Sequence, residues 1–156
     1  MGFGNGGHTR KFYATQVEKI YSLLQKKVSQ EDSNIDIAKY LSICDKLGEA
    51  PDPDRMPLET SDFPEEVQTA FFVFDYLQDR WEGMSGSYLG KEWSNIEFLF
   101  DLFDIQERRT VLYFIKLWEN VLVNYRAEKS ERKRKAEERK RKSAGGGKNY
   151  THNVKG

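Results

Sequence analysis

The sequence predicts an all-α protein, a compact bundle of about five helices with a long protruding C-terminal basic helix. Two observations lead to this fold class. Apolar side chains recur at three- and four-residue steps in successive segments, which is the spacing of one helix face, and capping residues or prolines separate these segments. No segment shows the apolar–polar alternation of a half-buried strand, so no sheet is predicted.

The first helix is predicted to follow a glycine-rich segment. Residues 1–11 are expected to be a flexible N-terminus, because glycine leaves the backbone many conformations. From Phe12 to Val28 the helical spacing of apolar residues begins. The apolar face of this helix is formed by Val17, Ile20, Tyr21, Leu24 and Val28. We expect this face to pack against the other helices of the domain.

The second helix is predicted between Ser33, as its N-cap, and Gly48, where it ends. Its apolar face is formed by Ile37, Tyr40, Leu41, Cys44 and Leu47. A proline-rich linker, residues 49–63, follows this helix. Three of the four prolines of the chain lie in it, and proline cannot donate the backbone hydrogen bonds of a helix. The linker is therefore expected to stay extended.

The third helix, at about residues 64–79, is the predicted centre of the bundle. Ser61 or Asp62 is its expected N-cap, and two glutamates lie in its first turn, where the helix dipole favours negative charge. Apolar side chains occur nearly all round this helix, namely Val67, Phe71, Phe74 and Leu77 on one face and Phe72, Val73 and Tyr76 on its flanks. A helix that is apolar on all sides is usually buried.

Two further helices complete the predicted α-helical domain, which spans residues 12–125. Ser94 and Glu97 match a capping box that opens a short fourth helix. Asp104 and Glu107 repeat this signal at the start of a long fifth helix. The apolar residues of the fifth helix, which recur at steps of four and three, are Val111, Ile115, Trp118, Leu122 and Tyr125.

The fifth helix is predicted to continue beyond the domain as a basic helical extension, residues 126–142. The apolar spacing stops after Tyr125, but glutamates there precede lysines or arginines by four residues, which stabilises a helix without a core. The glycines of the sequence SAGGG then end the helix, and residues 143–156 are expected to form a disordered tail.

Catalytic and metal chemistry have little support in the sequence. The two histidines, His8 and His152, both lie outside the predicted domain, and the single cysteine, Cys44, lies on an apolar helix face. Carboxylates are plentiful, but solvated helix faces and caps account for them more simply than acid–base pairs do. The sequence therefore predicts a protein that is not an enzyme and that binds no metal or other cofactor.

The segment RWEGMSGSYLGKEW, residues 80–93, combines three glycines with large aromatic side chains. It is longer than most connections between helices of a bundle, which favours an exposed loop that binds another protein. The alternative is that its aromatic side chains pack on the core, with the glycines permitting close approach. The candidate partner-binding residues are Trp81, Met84, Tyr88, Leu89 and Trp93.

Charge is divided unevenly along the chain. Residues 126–156 contain 12 Lys and Arg against 4 Glu, and the other 125 residues contain 13 against 21, so net charges of +8 and −8 cancel. Such a basic segment suits an anionic partner, either nucleic acid or an acidic protein surface. The candidate residues are Arg132, Lys133, Arg134, Lys135, Arg139, Lys140, Arg141 and Lys142. Interleaved glutamates favour protein contact or solvation, and within the tail only Tyr150 offers an aromatic ring for base stacking.

The sequence predicts a soluble, cytoplasmic protein. Its apolar runs are too short to cross a bilayer, and the N-terminal residues do not resemble a signal peptide. No membrane partner is therefore expected.

Residues 63–105, FPEEVQTAFFVFDYLQDRWEGMSGSYLGKEWSNIEFLFDLFDI, together with the terminal SAGGGKNYTHNVKG, resemble small proteins of tailed, marine myovirus-like bacteriophages. The functional class that this resemblance implies is the tail assembly chaperone. Such chaperones are small helical proteins, some ending in long charged helices, that coat the tape measure protein before the tail tube polymerises. The resemblance thus implies a non-enzymatic phage assembly or adaptor protein in the host cytoplasm, with a tape measure or other tail protein as its partner.

Two other functions stay open at this stage. The basic tail suits a nucleic-acid- or polymerase-associated phage factor, and a small helical protein also suits a minor structural protein of the virion. The sequence leaves the oligomeric state open.

Overall fold

The structure is a computed structural model that describes residues 6–145, with side chains from Thr15 onward. Within this range the helices are α1 Gly6–Gln30, α2 Ile37–Leu47, α3 Glu65–Tyr76, α4 Ile96–Leu102 and α5 Arg108–Gly145, and the strands are β1 Asp79–Trp81 and β2 Tyr88–Lys91. The prediction of a largely all-α fold with a long C-terminal helix is confirmed. The small two-stranded sheet is an addition that the sequence analysis missed.

The core lies between α1, α3 and α5. Leu24 of α1, Val73 of α3 and Ile115 of α5 are completely buried. Trp118 of α5 packs edge-on against Phe71 of α3, with 5.2 Å between ring centres. Burying one large aliphatic side chain stabilises a fold by about 1.5–3 kcal/mol, so the contacts among these three helices hold the domain together. The four residues predicted for one face of the third helix, Val67, Phe71, Phe74 and Leu77, are all buried.

The ends of α1 and α5 differ from the predicted ends. Helix α1 begins at Gly6, so the predicted flexible N-terminus, residues 1–11, is helical from Gly6 onward. Each residue added to an existing helix gains a hydrogen bond without a new nucleation step, which offsets the low helix propensity of glycine. Helix α5 is described to Gly145, so residues 143–145 of the predicted disordered tail are helical. The rest of the predicted tail, residues 146–156, and the first five residues lie outside the described residues.

The start of α2 also differs from the prediction. Asp36 is its N-cap, since the Asp36 carboxylate accepts a hydrogen bond of 2.7 Å from the backbone N–H of Lys39. Ser33 belongs instead to a short 3₁₀ turn, where its hydroxyl donates to the carbonyl of Gln30. The predicted end at Gly48 is confirmed, because Gly48 adopts the left-handed conformation with φ of 68°.

The predicted N-caps of α3 and α4 are wrong. Pro64 occupies the position before α3, and the Asp62 carboxylate instead accepts from the backbone N–H of Glu59 in a preceding 3₁₀ turn. Asn95 precedes α4, and the Ser94 hydroxyl donates to the carboxylate of Glu92 rather than capping the helix. In each case the short polar side chain forms a hydrogen bond with a nearer backbone or carboxylate group, and it is therefore not free to cap the helix.

Asp104 does not cap α5 either. Its backbone lies in the left-handed region, with φ of 49°, and its carboxylate accepts from the side-chain amide of Gln106. The backbone carbonyl of Glu107 accepts the first hydrogen bond of the helix, from Val111. Helix α5 therefore begins at Arg108, later than the predicted cap at Asp104 places it.

A β-hairpin occupies most of residues 80–93, for which the sequence predicts a loop. Strands β1 and β2 are antiparallel, with Asp79 opposite Lys91, Arg80 opposite Gly90 and Trp81 opposite Tyr88. Helix α3 accordingly ends at Tyr76, before the predicted end at residue 79. The strands have only 3 and 4 residues, which is too short for an alternating pattern to be recognised.

Candidate functional site

One glutamate of α5 anchors the hairpin to the bundle. Glu119 Oε2 accepts hydrogen bonds of 2.8 Å from the backbone N–H of Lys91 and from Nε1 of Trp93. Gly90 permits this approach, because a Cβ built on it would lie 2.8 Å from Cδ of Glu119. Lys116 adds a cation–π contact, with its Nζ 4.8 Å from the centre of a Trp93 ring. Trp93 is thus held against α5 at the base of the hairpin.

A buried lysine connects the hairpin to α3. The Lys91 side chain is only 8% exposed, and its Nζ donates to the carbonyl of Leu77 at 2.9 Å and pairs with Asp79 Oδ1 at 3.0 Å. It also lies 4.6 Å from the ring centre of Phe74. Such pairing is required, because a buried ammonium without partners is strongly destabilising. Lys91 and Asp79 therefore position the hairpin.

Tyr88 belongs to the same network. Its hydroxyl donates to Asp79 Oδ1 at 2.9 Å. Burial by itself raises the pKa of the Asp79 carboxyl, but the hydrogen bonds from Lys91 and Tyr88 together hold that pKa below its usual value. Burial and the neighbouring Asp79 raise the pKa of Tyr88, so this phenol is neutral at physiological pH. Tyr88 is buried and contributes to hairpin packing.

The structure separates the five predicted partner-binding residues into two groups. Tyr88 is buried and Trp93 is half-buried, so for these two the alternative of packing against the body is correct and the exposed-loop prediction is wrong. Trp81, Met84 and Leu89 are 55%, 98% and 48% exposed. Glu82 orders the hairpin tip, because its carboxylate accepts hydrogen bonds from the backbone N–H groups of Met84 and Ser85. The tip therefore presents a short, ordered turn.

A second exposed surface lies on α3 and α4, and the sequence analysis did not identify it. The ring of Phe103 lies 4.8 Å from that of Phe72 and 4.9 Å from that of Tyr76, measured between ring centres. Phe98 and Leu102, four residues apart on one face of α4, are 63% and 60% exposed. These two sets meet in the chain at the consecutive residues Leu102 and Phe103, and we name them together the α3–α4 apolar surface. The residues of the α3–α4 apolar surface are Phe72, Tyr76, Phe98, Leu102 and Phe103.

The eight predicted residues of the basic tail form an exposed part of α5. Four of them form ion pairs with glutamates of the same helix, and four do not. Glu131 pairs with Arg134 at 2.8 Å and Lys135 at 3.5 Å, and the adjacent Arg134 lowers the pKa of Glu131 to about 2. Arg132 and Lys142 pair with glutamates four residues before them. The four of these eight residues that make no ion pair with another described residue are Lys133, Arg139, Lys140 and Arg141. Among the eight predicted residues, these four are therefore available to an anionic partner.

A cleft of about 450 Å³ lies between the hairpin and the start of the basic extension. Arg126 forms its inner side, with its guanidinium carbon 4.2 Å from the ring centre of Tyr88 and 5.6 Å from that of Trp81. Lys129 also lines the cleft and pairs with Asp32 at 2.6 Å. The lining residues are Trp81, Gly86, Ser87, Tyr88, Arg126, Ala127, Lys129, Ser130, Glu131 and Lys133.

A smaller polar cavity of about 360 Å³ lies on the other side of Arg126. It has three cationic and three acidic side chains over an aromatic floor, and burial raises the pKa of one of them, Glu31. The ionisable lining residues are Lys27, Glu31, Asp75, Asp79, Lys91 and Arg126. Because the opposite charges balance, this cavity suits ion pairing within the protein.

Among the described side chains, residues 15–145, no cluster of three or more His, Cys, Asp or Glu is arranged to hold a metal ion. Within residues 6–145 no helix is both long enough and apolar enough to span a membrane. No protein-family model matches the chain, and comparisons with curated proteins and with solved structures find no match.

Proposed function

We propose that this protein is a non-enzymatic adaptor that binds another protein chain through the α3–α4 apolar surface. The observation that carries the proposal is the exposure of Tyr76, Phe98 and Leu102, each at least 56% exposed, beside the aromatic cluster around Phe103. Exposed apolar clusters of this kind on a folded domain mark interaction sites, and aromatic side chains are enriched in them. Covering such side chains with a partner removes apolar area from water.

The charges beside this surface indicate the chemistry of the partner. On α4, Glu97 and Asp101 directly precede Phe98 and Leu102, and both carboxylates are exposed. Only Asp101 has a basic partner within the described residues, Arg108 at 2.6 Å. An apolar helix flanked by lysines or arginines complements a surface of this composition. We therefore propose an amphipathic, basic helix as the binding element of the partner.

The resemblance of residues 63–105 to small tailed-phage proteins leads us to propose phage assembly as the setting. The protein would then cover apolar helices of a tape measure or other tail protein before the tail tube forms, as a tail assembly chaperone does. A long, largely helical partner provides amphipathic helices of the kind that the α3–α4 apolar surface accepts.

Co-expression with the tail proteins encoded beside its gene tests this proposal. We expect a tape measure or other tail protein to co-purify with the wild type, and the Phe98→Ala/Leu102→Ala variant to bind it at least about tenfold more weakly, as hot-spot truncation does. The matched control is Leu41→Ala/Leu47→Ala on α2, which removes two other exposed leucines and should leave binding unchanged. Equal binding by both variants would contradict the proposed interface.

The hairpin tip is compared in the same experiment. A Trp81→Ala/Met84→Ala variant removes two of the three exposed side chains of the predicted loop site. If this variant loses the partner and the α4 variant keeps it, the binding surface is the hairpin. Retention of the protein in purified particles would indicate a structural virion subunit, because a chaperone leaves before assembly is complete.

A further inference from the structure

The fold brings an exposed tryptophan of the hairpin beside the basic face of α5. We propose that the cleft between them, together with the helix face that continues from it, binds single-stranded nucleic acid. In this arrangement one base stacks on Trp81 and the backbone phosphates follow α5. This inference is independent of the proposed adaptor function, because the cleft shares no residue with the α3–α4 apolar surface.

The cleft combines an exposed aromatic ring with several cations. Proteins that bind single strands combine aromatic rings, on which bases stack, with positive charges that track the backbone. Trp81 is 55% exposed and forms one wall, while Arg126, Lys129 and Lys133 line the other. Trp81 lies more than forty positions before these cations in the sequence, and the described part of the basic segment contains no aromatic residue of its own. Only the fold therefore brings an aromatic ring beside the cations.

The local charges favour an anionic ligand. Glu131 is the only carboxylate among the described residues that line the cleft, and Arg134 and Lys135 already pair with it. Lys129 is bound to Asp32, which leaves Arg126 and Lys133 without an ion pair at the cleft, although Arg126 also lies near the carboxylates of Glu31 and Asp79 in the adjoining cavity. Opposite charge in a concave site raises the local concentration of such a ligand.

Arg126 contributes a second observation. Its Nη1 is buried and has no hydrogen-bond partner within the described part of the chain. Buried donors in folded proteins almost always have acceptors, and an unpaired donor is costly. A phosphate in the cleft would lie against the Arg126 guanidinium, which lines the cleft and which the rings of Tyr88 and Trp81 hold in place.

The helix beyond the cleft indicates a strand rather than a single nucleotide. Arg126, Lys133 and Lys140 are spaced at seven residues, which is about two helical turns, so they lie on one face of α5 and extend over roughly 21 Å. A mononucleotide cannot reach along this length. Glu137 lies on the same face and repels phosphates, so we expect two groups of phosphate contacts, Arg126 with Lys133 and Lys140 with Arg141. An unpaired base is needed for stacking on Trp81, which favours single strands over duplexes.

The first test measures binding of a fluorescently labelled oligothymidylate to the full chain at low salt, by fluorescence anisotropy. We expect saturable binding that Trp81→Ala weakens about tenfold, whereas Trp81→Phe, which keeps an aromatic ring, retains most of it. The matched control is Met84→Ala, because Met84 is exposed on the same hairpin but lies outside the cleft. Circular dichroism and thermal unfolding confirm that each variant is folded.

The second test replaces single cations of α5 and measures how the salt dependence of binding changes. Lys133→Gln and Lys140→Gln should each reduce the salt dependence of log K by about one phosphate contact, whereas Arg139→Gln should not. Arg139 is an exposed, unpaired cation of the same helix, but it lies on a different face from Lys133 and Lys140. These exposed substitutions do not disturb the core, so the comparison stands even if Trp81→Ala fails to fold.

Several results would overturn the proposal. These are no binding at low salt, equal binding by a folded Trp81→Ala variant, and equal losses for Arg139→Gln and Lys133→Gln, which would indicate a nonspecific basic tail. Tighter binding to a duplex, or competition by thymidine monophosphate as effective as that by the oligomer, would also exclude the single-strand site. Loss of binding limited to the Trp81, Lys133 and Lys140 variants would support it.

Discussion

Gly90 shows how one residue without a side chain determines where the hairpin lies. Its φ of 94° is a conformation that other residues rarely adopt, and its Cα faces the Glu119 carboxylate at a distance that leaves no room for a Cβ. The same carboxylate holds Lys91 and Trp93. Of the glycines in this segment, Gly90 is the one at which close packing requires glycine, which agrees with the packed alternative considered for the loop.

Replacing Gly90 tests this explanation. Gly90→Ala should lower the free energy of unfolding by about 2–3 kcal/mol, because backbone strain adds to a clash with Glu119. Gly86→Ala is the matched control, since Gly86 also has a positive φ of 67° but has no atom within 4 Å of the Cβ position. That variant should lose only about 1 kcal/mol. Chemical denaturation measures both, and equal losses would mean that the contact with Glu119 has no effect.

Asp79 should make stability depend on pH. Its folded-state pKa lies below the ordinary value of 3.8, so its stabilising effect is fully present above that value and is lost as the pH falls through the lower folded-state pKa. Because the Asp79 side chain is 43% exposed, we expect Asp79→Asn to cost only about 1 kcal/mol at neutral pH. Unfolding experiments over a range of pH should show that the two proteins converge in acid.

The exposed carboxylate of Asp75 provides the control for Asp79. Asp75 accepts no side-chain hydrogen bond among the described residues, although it lies in the same part of the fold. Asp75→Asn should therefore change stability less than Asp79→Asn does at neutral pH. A difference between wild type and Asp79→Asn that stays constant in acid would contradict the role given to the Asp79 charge.

At the scale of elements, the helices differ in how firmly they are held. Helix α2 makes few contacts with other helices or strands, and Cys44 is its one buried residue. Its main attachment to the linker is Tyr40, whose hydroxyl accepts a hydrogen bond from the backbone N–H of Asp52. Helix α3, in contrast, is buried along most of its length. The domain therefore consists of a tightly packed centre with a loosely attached second helix.

This difference predicts local opening of α2. Native-state hydrogen exchange should show its amides exchanging with opening free energies roughly 2 kcal/mol or more below those of Val73 and Phe74 in α3, because few buried apolar contacts hold α2 in place. Mass spectrometry or NMR can measure both helices in one sample, so α3 is the internal control. Equal protection of α2 and α3 would show that the two helices unfold as one unit.

At the scale of the whole molecule, the basic extension is a separate part of the fold. Every described residue after Arg126 is exposed, and ion pairs among side chains of the extension replace packing. Tyr125 and Lys129 mark its attachment to the body, since both donate hydrogen bonds to the carboxylate of Asp32. The charge separation seen in the sequence is thus also a spatial separation.

Truncation tests the independence of the extension. Removing residues 131–156 should reduce helix content but change the free energy of unfolding by less than about 0.5 kcal/mol, as is usual for exposed side chains. A longer truncation, residues 124–156, is the control, because it also removes Tyr125 and Lys129 and should be destabilising. Chemical denaturation of both proteins gives the comparison. A large loss from the shorter truncation would show that the extension packs on the body.

Helix periodicity is a local property, and for that reason the largely α-helical fold, the buried face of α3 and the exposed basic helix were all predictable from the order of residues. The N-cap errors arose from competing groups only a few residues away, such as Glu92 beside Ser94, whereas the other errors arose where distant groups contact the same residue. The two short strands are stable only when they pair with each other. Glu119 accepts a hydrogen bond from Trp93, 26 positions away in the sequence. Tyr88 is buried, and its hydroxyl donates to Asp79, which also pairs with Lys91. Non-local packing likewise decides the exposure of Phe72 and Tyr76 and the position of Trp81 beside Arg126. Such packing cannot be predicted from the local pattern of a single sequence.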